Sequence, residues 1–435
     1  MSQVVETNRS EHEPDMRPFA IMWAGQAFSL FGSHLVQFAL VWYLTESTGS
    51  GTILAFSTMM ALLPQVLVSP FAGALIDRWN RRLVMIVADA VVALSTVALA
   101  ILFATGSVQI WHIYVVMLIR ATGGAFHWPA MQASTTLMVP KRHLSRVAGL
   151  NQALMGAASI AAPPLGALLL SVMPLQGVLA IDVVTALLAV LPLLFIFVPQ
   201  PEQVPGKRPT VLADMAEGLR FVWAWPGLVT ILVMVTMINL LISPAFSLLP
   251  LMVTEHFGGG ALELASLQSA EGIGMIVGGV LLGIWGGFRK RILTALVGLV
   301  GLGLSLVAIG LVPGSLLILA VGAMFVTGLM MPIVNGTFFA VLQATVPPEM
   351  QGRVLTLTMA GATAAATLIG LPIAGPVSDV LGVPTWFVAG GVVTALMGVV
   401  GVFLPAVMKI EEQQLPAAGD GPALEEPSSA PAQAD

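Results

Sequence analysis

Twelve apolar stretches alternate with short polar segments along this chain, at about 18–45, 52–76, 83–104, 107–132, 147–172, 176–199, 223–254, 262–286, 292–312, 314–343, 354–378 and 384–408. Each is long enough to cross ~30 Å of hydrocarbon, which takes about 20 helical residues. Lipid offers no partner to a backbone N–H or C=O, so each stretch must close its own hydrogen bonds as an α-helix. The expected fold is an all-α membrane protein, with twelve transmembrane helices in two pseudo-symmetric six-helix bundles. Composition agrees: 9% of the 435 residues are charged and 57% are hydrophobic, against about 25% charged in soluble domains.

The basic residues orient the bundle. With the N-terminus inside, Arg9, Arg17, Arg78, Arg81, Arg82, Lys141, Arg142, Arg146, Lys207, Arg208, Arg220, Arg289, Lys290, Arg291, Arg353 and Lys409 all face the cytoplasm. Only Arg120, of the 17 bases, lies within a span. That asymmetry predicts a multi-pass protein of the plasma (inner) membrane with both termini cytoplasmic. The polar, mixed-charge stretch Met1 to Asp15 is expected not to be a cleavable signal peptide. Six acids after Lys409 account for the net charge of −5, so charge points to no nucleic-acid partner. The absence of cysteine excludes disulfides and thiolate metal sites. No metal and no cofactor is expected, and the chain contains no P-loop, HExxH or GxSxG.

Residues 200–222 form the longest internal polar segment. They predict a division into an N-terminal tail (1–16), a first bundle (17–199), a linker (200–222), a second bundle (223–408) and a Pro-, Ala- and Glu-rich disordered tail (409–435). The halves are related. Val139-Pro140-x5-Arg146-Val147 recurs 207 residues later as Val346-Pro347-x5-Arg353-Val354. Ser29, Ser33 and Gln37 have counterparts at Asn239, Ser243 and Ser247, 210 residues on. Parallel repeats around a central cavity are expected.

Away from the ends of the spans the ionisable residues are few: Asp89, Arg120, Asp182 and Glu271, with His34 and His127. A charge at mid-bilayer costs about 2.5–3.5 kcal/mol even on the lenient insertion scale, so these groups must face protein, a partner charge or a water-filled cavity. Arg120, Asp182, Glu271 and Asp89 are the candidates for proton coupling, although Asp89 could instead pair with the arginines of the nearby loop. Gln26, Ser29, Ser33 and Gln37 share one face of the first helix at helical spacing. Asn239 and Ser243 do so in the seventh. With Phe126, His127, Trp128 and Phe246 they are candidates for a substrate cavity, or for helix–helix joints. Pro163, Pro164 and Pro372 are expected kink sites.

Between the second and third spans lies Gly73-Ala-Leu-Ile-Asp77-Arg78-Trp79-Asn80-Arg81-Arg82. It resembles G-x-L-x-D-R-x-x-R-R, the loop signature of the major facilitator superfamily of transporters. Arg120-Ala-Thr-Gly123-Gly124-Ala resembles that superfamily's R-x-x-Q-G-x-G, with glycine in place of Gln. Ala162-Pro163-Pro164-Leu-Gly166-Ala is similar to the antiporter motif G-P-x-x-G-G. Segments such as Phe126-His-Trp-Pro129-Ala, Ala180-Ile-Asp182-Val and Gln351-Gly352-Arg353-Val resemble macrolide-efflux exporters and their relatives, enterobactin exporters included. The resemblance implies a drug:proton antiporter rather than an enzyme, with a small-molecule substrate, protons and the lipid bilayer as partners. Gly73, Asp77, Arg78, Arg81 and Arg82 would form a conformational gate. Alternatives are a dedicated exporter of an endogenous metabolite such as a siderophore, or a receptor or scaffold that transports nothing. The chain is expected to act as a monomer.

The orientation has a direct check. Single cysteines at Ser107 and Gly314 should react with an impermeant maleimide in intact cells and one at Arg208 should not; labelling of position 208 would reverse the topology.

Overall fold

The structure, a computed structural model, describes residues 16–76, 78–200 and 211–411. Expectations for both tails, for 201–210 of the linker and for Asp77 lie outside these residues. Among the described residues every regular element is helical. The transmembrane helices are α1 (Met16–Thr48), α2 (Gly51–Leu67, continued by Ser69–Ile76), α3 (Arg81–Ala104), α4 (Ile110–Met138), α5 (Leu144–Val172) and α6 (Leu175–Phe195). The second set is α7 (Pro226–Ser247), α8 (Ala261–Trp285), α9 (Arg291–Leu311), α10 (Leu317–Thr345), α11 and α12 (Pro384–Phe403). Helix α11 comprises Pro348–Ala365, a π turn over Ala366–Gly370, and Leu371–Leu381. An amphipathic linker helix, Val211–Trp223, joins the halves.

Ten of the twelve are long and apolar enough by themselves to cross a membrane. The other two have specific reasons. Helix α2 is interrupted at Val68, and α4, though 29 residues long, carries Arg120 and three polar aromatics, His112, Tyr114 and His127.

The packing repeats. In the first half α1 packs on α5 and α6, α3 on α4 and α6, and α2 on α4. In the second half α7 packs on α11 and α12, α9 on α10 and α12, and α8 on α10. Each contact recurs six helices on. The main contacts between halves, α2 with α11 and α5 with α8, exchange with one another under the same operation. The Val-Pro repeat sits at equivalent corners: Val139 and Val346 end α4 and α10 in extended conformation, and Pro140 and Pro347 follow with φ of −54° each.

Small residues set the closest approaches, as expected where lipid supplies no drive for helix association. Gly274 and Gly278 of α8 lie against the α10 backbone at Phe325 and Leu329, and Gly303 of α9 lies against Gly391 of α12. Helix α5 runs unbroken through Pro163 and Pro164, whereas Pro372 follows directly on the π turn of α11. Gly314 sits against the His256 carbonyl with no space for a side chain, so the labelling position on that loop moves to exposed Ser315.

Overpacking a close seam costs about 1–3 kcal/mol. Gly278→Val and Gly391→Val should each lower the melting temperature in detergent. Gly279→Ala, on a face with nothing within 4 Å, should leave it unchanged or raise it slightly.

Candidate functional site

Helix α3 presents Asp89 and, two turns on, Thr96; α4 presents Arg120 and His127; α6 presents Asp182. The three helices meet in the first half, where Asp182 is 1% exposed. Its carboxylate takes both arms of the Arg120 guanidinium, at 2.5 Å to Oδ2 and 3.4 Å to Oδ1. Thr96 Oγ1 accepts from Arg120 Nη1 at 2.8 Å and lies 3.3 Å from Asp182 Oδ2 as a donor. Ser33 Oγ stands 3.5 Å from Oδ1. A buried ion pair is tolerated only when its remaining hydrogen-bonding capacity is met, and hydroxyls of α1 and α3 meet it here.

Asp89 does not pair with the loop arginines. Its Oδ2 accepts from Gln26 Nε2 at 3.1 Å and lies 3.5 Å from His127 Nε2. Gln26, Ser29, Ser33, Gln37, Asp89, Arg120, His127, Trp128, Asn151 and Asp182 all line one cavity of about 310 Å³, belonging wholly to the first half. Asn151 also accepts from Trp23 Nε1 at 2.7 Å. A second cavity of about 360 Å³ lies in the other half and is lined by apolar side chains with Asn239 and Asn335. These two cavities differ in character, one polar and one nearly apolar.

Other expected site residues fall elsewhere. Phe126 faces a lateral groove between α3 and α4, against Trp79. Ser243 and Phe246 line neither cavity. Glu271 lies on α8, where Gly328 of α10 approaches its backbone, and is outside both cavities. Among the described residues no hydrogen bond or ion pair reaches its carboxylate.

Of the expected gate, Gly73 lies in the short helix Ser69–Ile76 and Arg78 is exposed. Arg81 is 6% exposed and donates to the Ala133 carbonyl of α4 at 2.9 Å. Arg82 donates to the Leu193 and Leu194 carbonyls at 2.5 Å each, supplying partners that the last turn of α6 lacks. These contacts stay within the first half. Thr96 and Asn151 escaped sequence reasoning. Thr96 was findable, because it stands seven residues after Asp89 on the same face of α3.

The sequence profile of the Major Facilitator Superfamily matches residues 22–365. The chain belongs to the Major Facilitator Superfamily. Among relatives within this transporter superfamily, Macrolide efflux protein A of Streptococcus pyogenes is 33% identical over 394 residues, covering 90% of this chain and 97% of the relative. Multidrug efflux pump Tap of Mycolicibacterium fortuitum is 29% identical over 410 residues, covering 90% and 96%. Among solved facilitator structures, nucleoside transporter NupG (D323A mutant) superposes with a TM-score of 0.66 at 16% identity, covering 87% of this chain and 97% of that one. That likeness concerns the fold alone.

Removing one partner of a buried ion pair costs about 3–5 kcal/mol, because the other charge is left uncompensated. Asp182→Asn and Arg120→Gln should each depress folded yield and melting temperature. The double variant should recover much of the loss, giving a non-additive double-mutant cycle. Additive losses would show that the pair is not coupled.

Proposed function

We propose that this transporter is a proton-coupled secondary exporter of hydrophobic or amphipathic compounds, working by alternating access between its two halves. The observation that carries the reading is its 33% identity to Macrolide efflux protein A along nearly the whole of both chains. The polar cavity supports it. Titratable Asp89 and His127 face that cavity together with Gln26, whereas Asp182 is committed to Arg120. The coupling weight therefore falls on Asp89 with His127, and on unpaired Glu271. Asp182 and Arg120 hold the site's geometry as a nearly neutral unit. The apolar cavity around Asn239 and Phe338 suits the greasy part of a cargo.

In this reading the chain is a monomer in the plasma membrane with both ends in the cytoplasm, and the asymmetry of the basic residues supports that orientation. The bundles are 17–199 and 223–408, joined by 200–222, with 1–16 and 409–435 as tails. Gly73, Asp77, Arg78, Arg81 and Arg82 would form the conformational gate at the cytoplasmic end. Export of a siderophore gains no support from the relatives above.

Reconstituted vesicles with an imposed pH gradient test the reading. The wild type should concentrate a fluorescent amphipathic cation or macrolide against its gradient, with no sodium requirement. Asp89→Asn should lose at least tenfold in uphill accumulation while keeping downhill exchange, since each tenfold of proton gradient is worth about 1.4 kcal/mol through one titrating site. Sodium-driven uptake, or full uphill transport by an Asp89→Asn/Glu271→Gln double variant, would refute the proton reading.

A further inference from the structure

At the end of the bundle opposite the basic loops, Asp379 of α11 reaches across to the other half. Its Oδ1 accepts from the Gly51 backbone N–H at 2.7 Å, and its Oδ2 accepts from the Thr52 hydroxyl at 2.7 Å and the Thr52 N–H at 3.4 Å. Gly51 and Thr52 open α2, whose N-cap Ser50 takes the Ile53 N–H at 3.4 Å. The first four N–H groups of any helix lack partners within it, and its positive end favours an anion. Here the second half supplies acceptor and anion to the first. Gly375 makes the approach possible, because its backbone lies directly against Thr52.

The sequence holds the same device twice. Helices α2 and α11 are antiparallel neighbours, and Gly375-x3-Asp379 at the carboxyl end of α11 repeats the spacing of Gly73-x3-Asp77 at that of α2. Asp379 stands where α11 ends beside the start of α2. The other acid near Asp379 is Glu255, after α7. Partial burial, and then the negative charge of Asp379, push its carboxyl above the ordinary range. Of these two acids, Asp379 is the one that bonds to α2.

We infer that Asp379 is the outer latch of the transport cycle: its carboxylate caps α2 across the interface when the outer ends of the halves are closed and releases it when they part. The inference rests on the alternating-access reading proposed above. It assigns to the outer end a residue that lay beyond the span boundaries drawn from sequence.

The test reads the two halves directly and needs neither cargo nor protons, so a failure of the export reading leaves it interpretable. The chain has no cysteine, so spin labels can be placed at Ser107 on the first half and Ser315 on the second, both exposed. Distances are measured by double electron–electron resonance on the full chain in lipid nanodiscs. Asp379→Ala should raise the ratio of long to short distances about tenfold or more, the effect of losing a charge-assisted hydrogen-bonded contact. Thr52→Val keeps the backbone donors and loses only the hydroxyl, so its shift should be smaller and in the same direction. Asp379→Asn should fall between, since its amide oxygen still accepts but carries no charge. If Asp379→Ala gives no folded protein, Asp379→Asn and Thr52→Val decide the matter by direction of shift. Unchanged distances in the folded variants would overturn the latch.

Discussion

A charge cannot stand alone in hydrocarbon, and that one penalty organises most of this molecule. It keeps sixteen of the seventeen basic residues out of the apolar spans and leaves Arg120 inside. Arg120 must then find a carboxylate, and Asp182 on α6 meets it with Thr96 filling the remaining geometry. The contact draws together α3, α4 and α6, three of the helices that line the polar cavity. At the bundle's end the same penalty takes a milder form, since Asp379 gains helix N–H groups rather than a counter-ion.

The helices were legible because lipid makes the signal strong: an apolar run of sufficient length has one solution. The repeat was legible from the Val-Pro corners, which recur with the same backbone geometry. The partner of Arg120 was not, because 62 residues separate it from Asp182 and helical periodicity orders one helix, not two. Faces were harder still. In a soluble helix the polar stripe points to water, but in a bundle it points to a cavity or to a neighbour. Phe126 and His127 are adjacent in sequence, yet one faces the lateral groove and the other the cavity. Asp379 went unread because it lies one residue past the estimated end of its span, where an acid looks like ordinary loop.

The backbone repeats and the chemistry does not. Packing contacts recur six helices apart, whereas Arg120, Asp182, Asp89 and His127 have no counterparts around the second cavity, which holds only asparagines among apolar side chains. A symmetric scaffold whose polar cavity lies in one half permits a division of labour. On the proposed reading, protonation would alter the field in the first half, while an apolar cargo would gain most by contact in the second. Neither half needs a contact with both ligands for the two to be linked, provided each ligand favours a different arrangement of the halves.

The latch must also be weak enough to open. Its bonds exchange for water when the halves part, so its net worth is the modest surplus of a charge-assisted hydrogen bond, about 1.5–3 kcal/mol. A bias of that size holds the closed state in a majority of roughly ten to a hundred to one; a proton or cargo of similar differential affinity balances the two states, and about twice that free energy reverses the ratio. A buried salt bridge in the same place would resist opening by several kcal/mol more, because parting it would strand a charge. A carboxylate on a helix end at the membrane boundary avoids that, since water reaches both partners once they separate. The ion pair sits deep inside one half, where nothing needs to part, and the helix cap sits between halves, where something must.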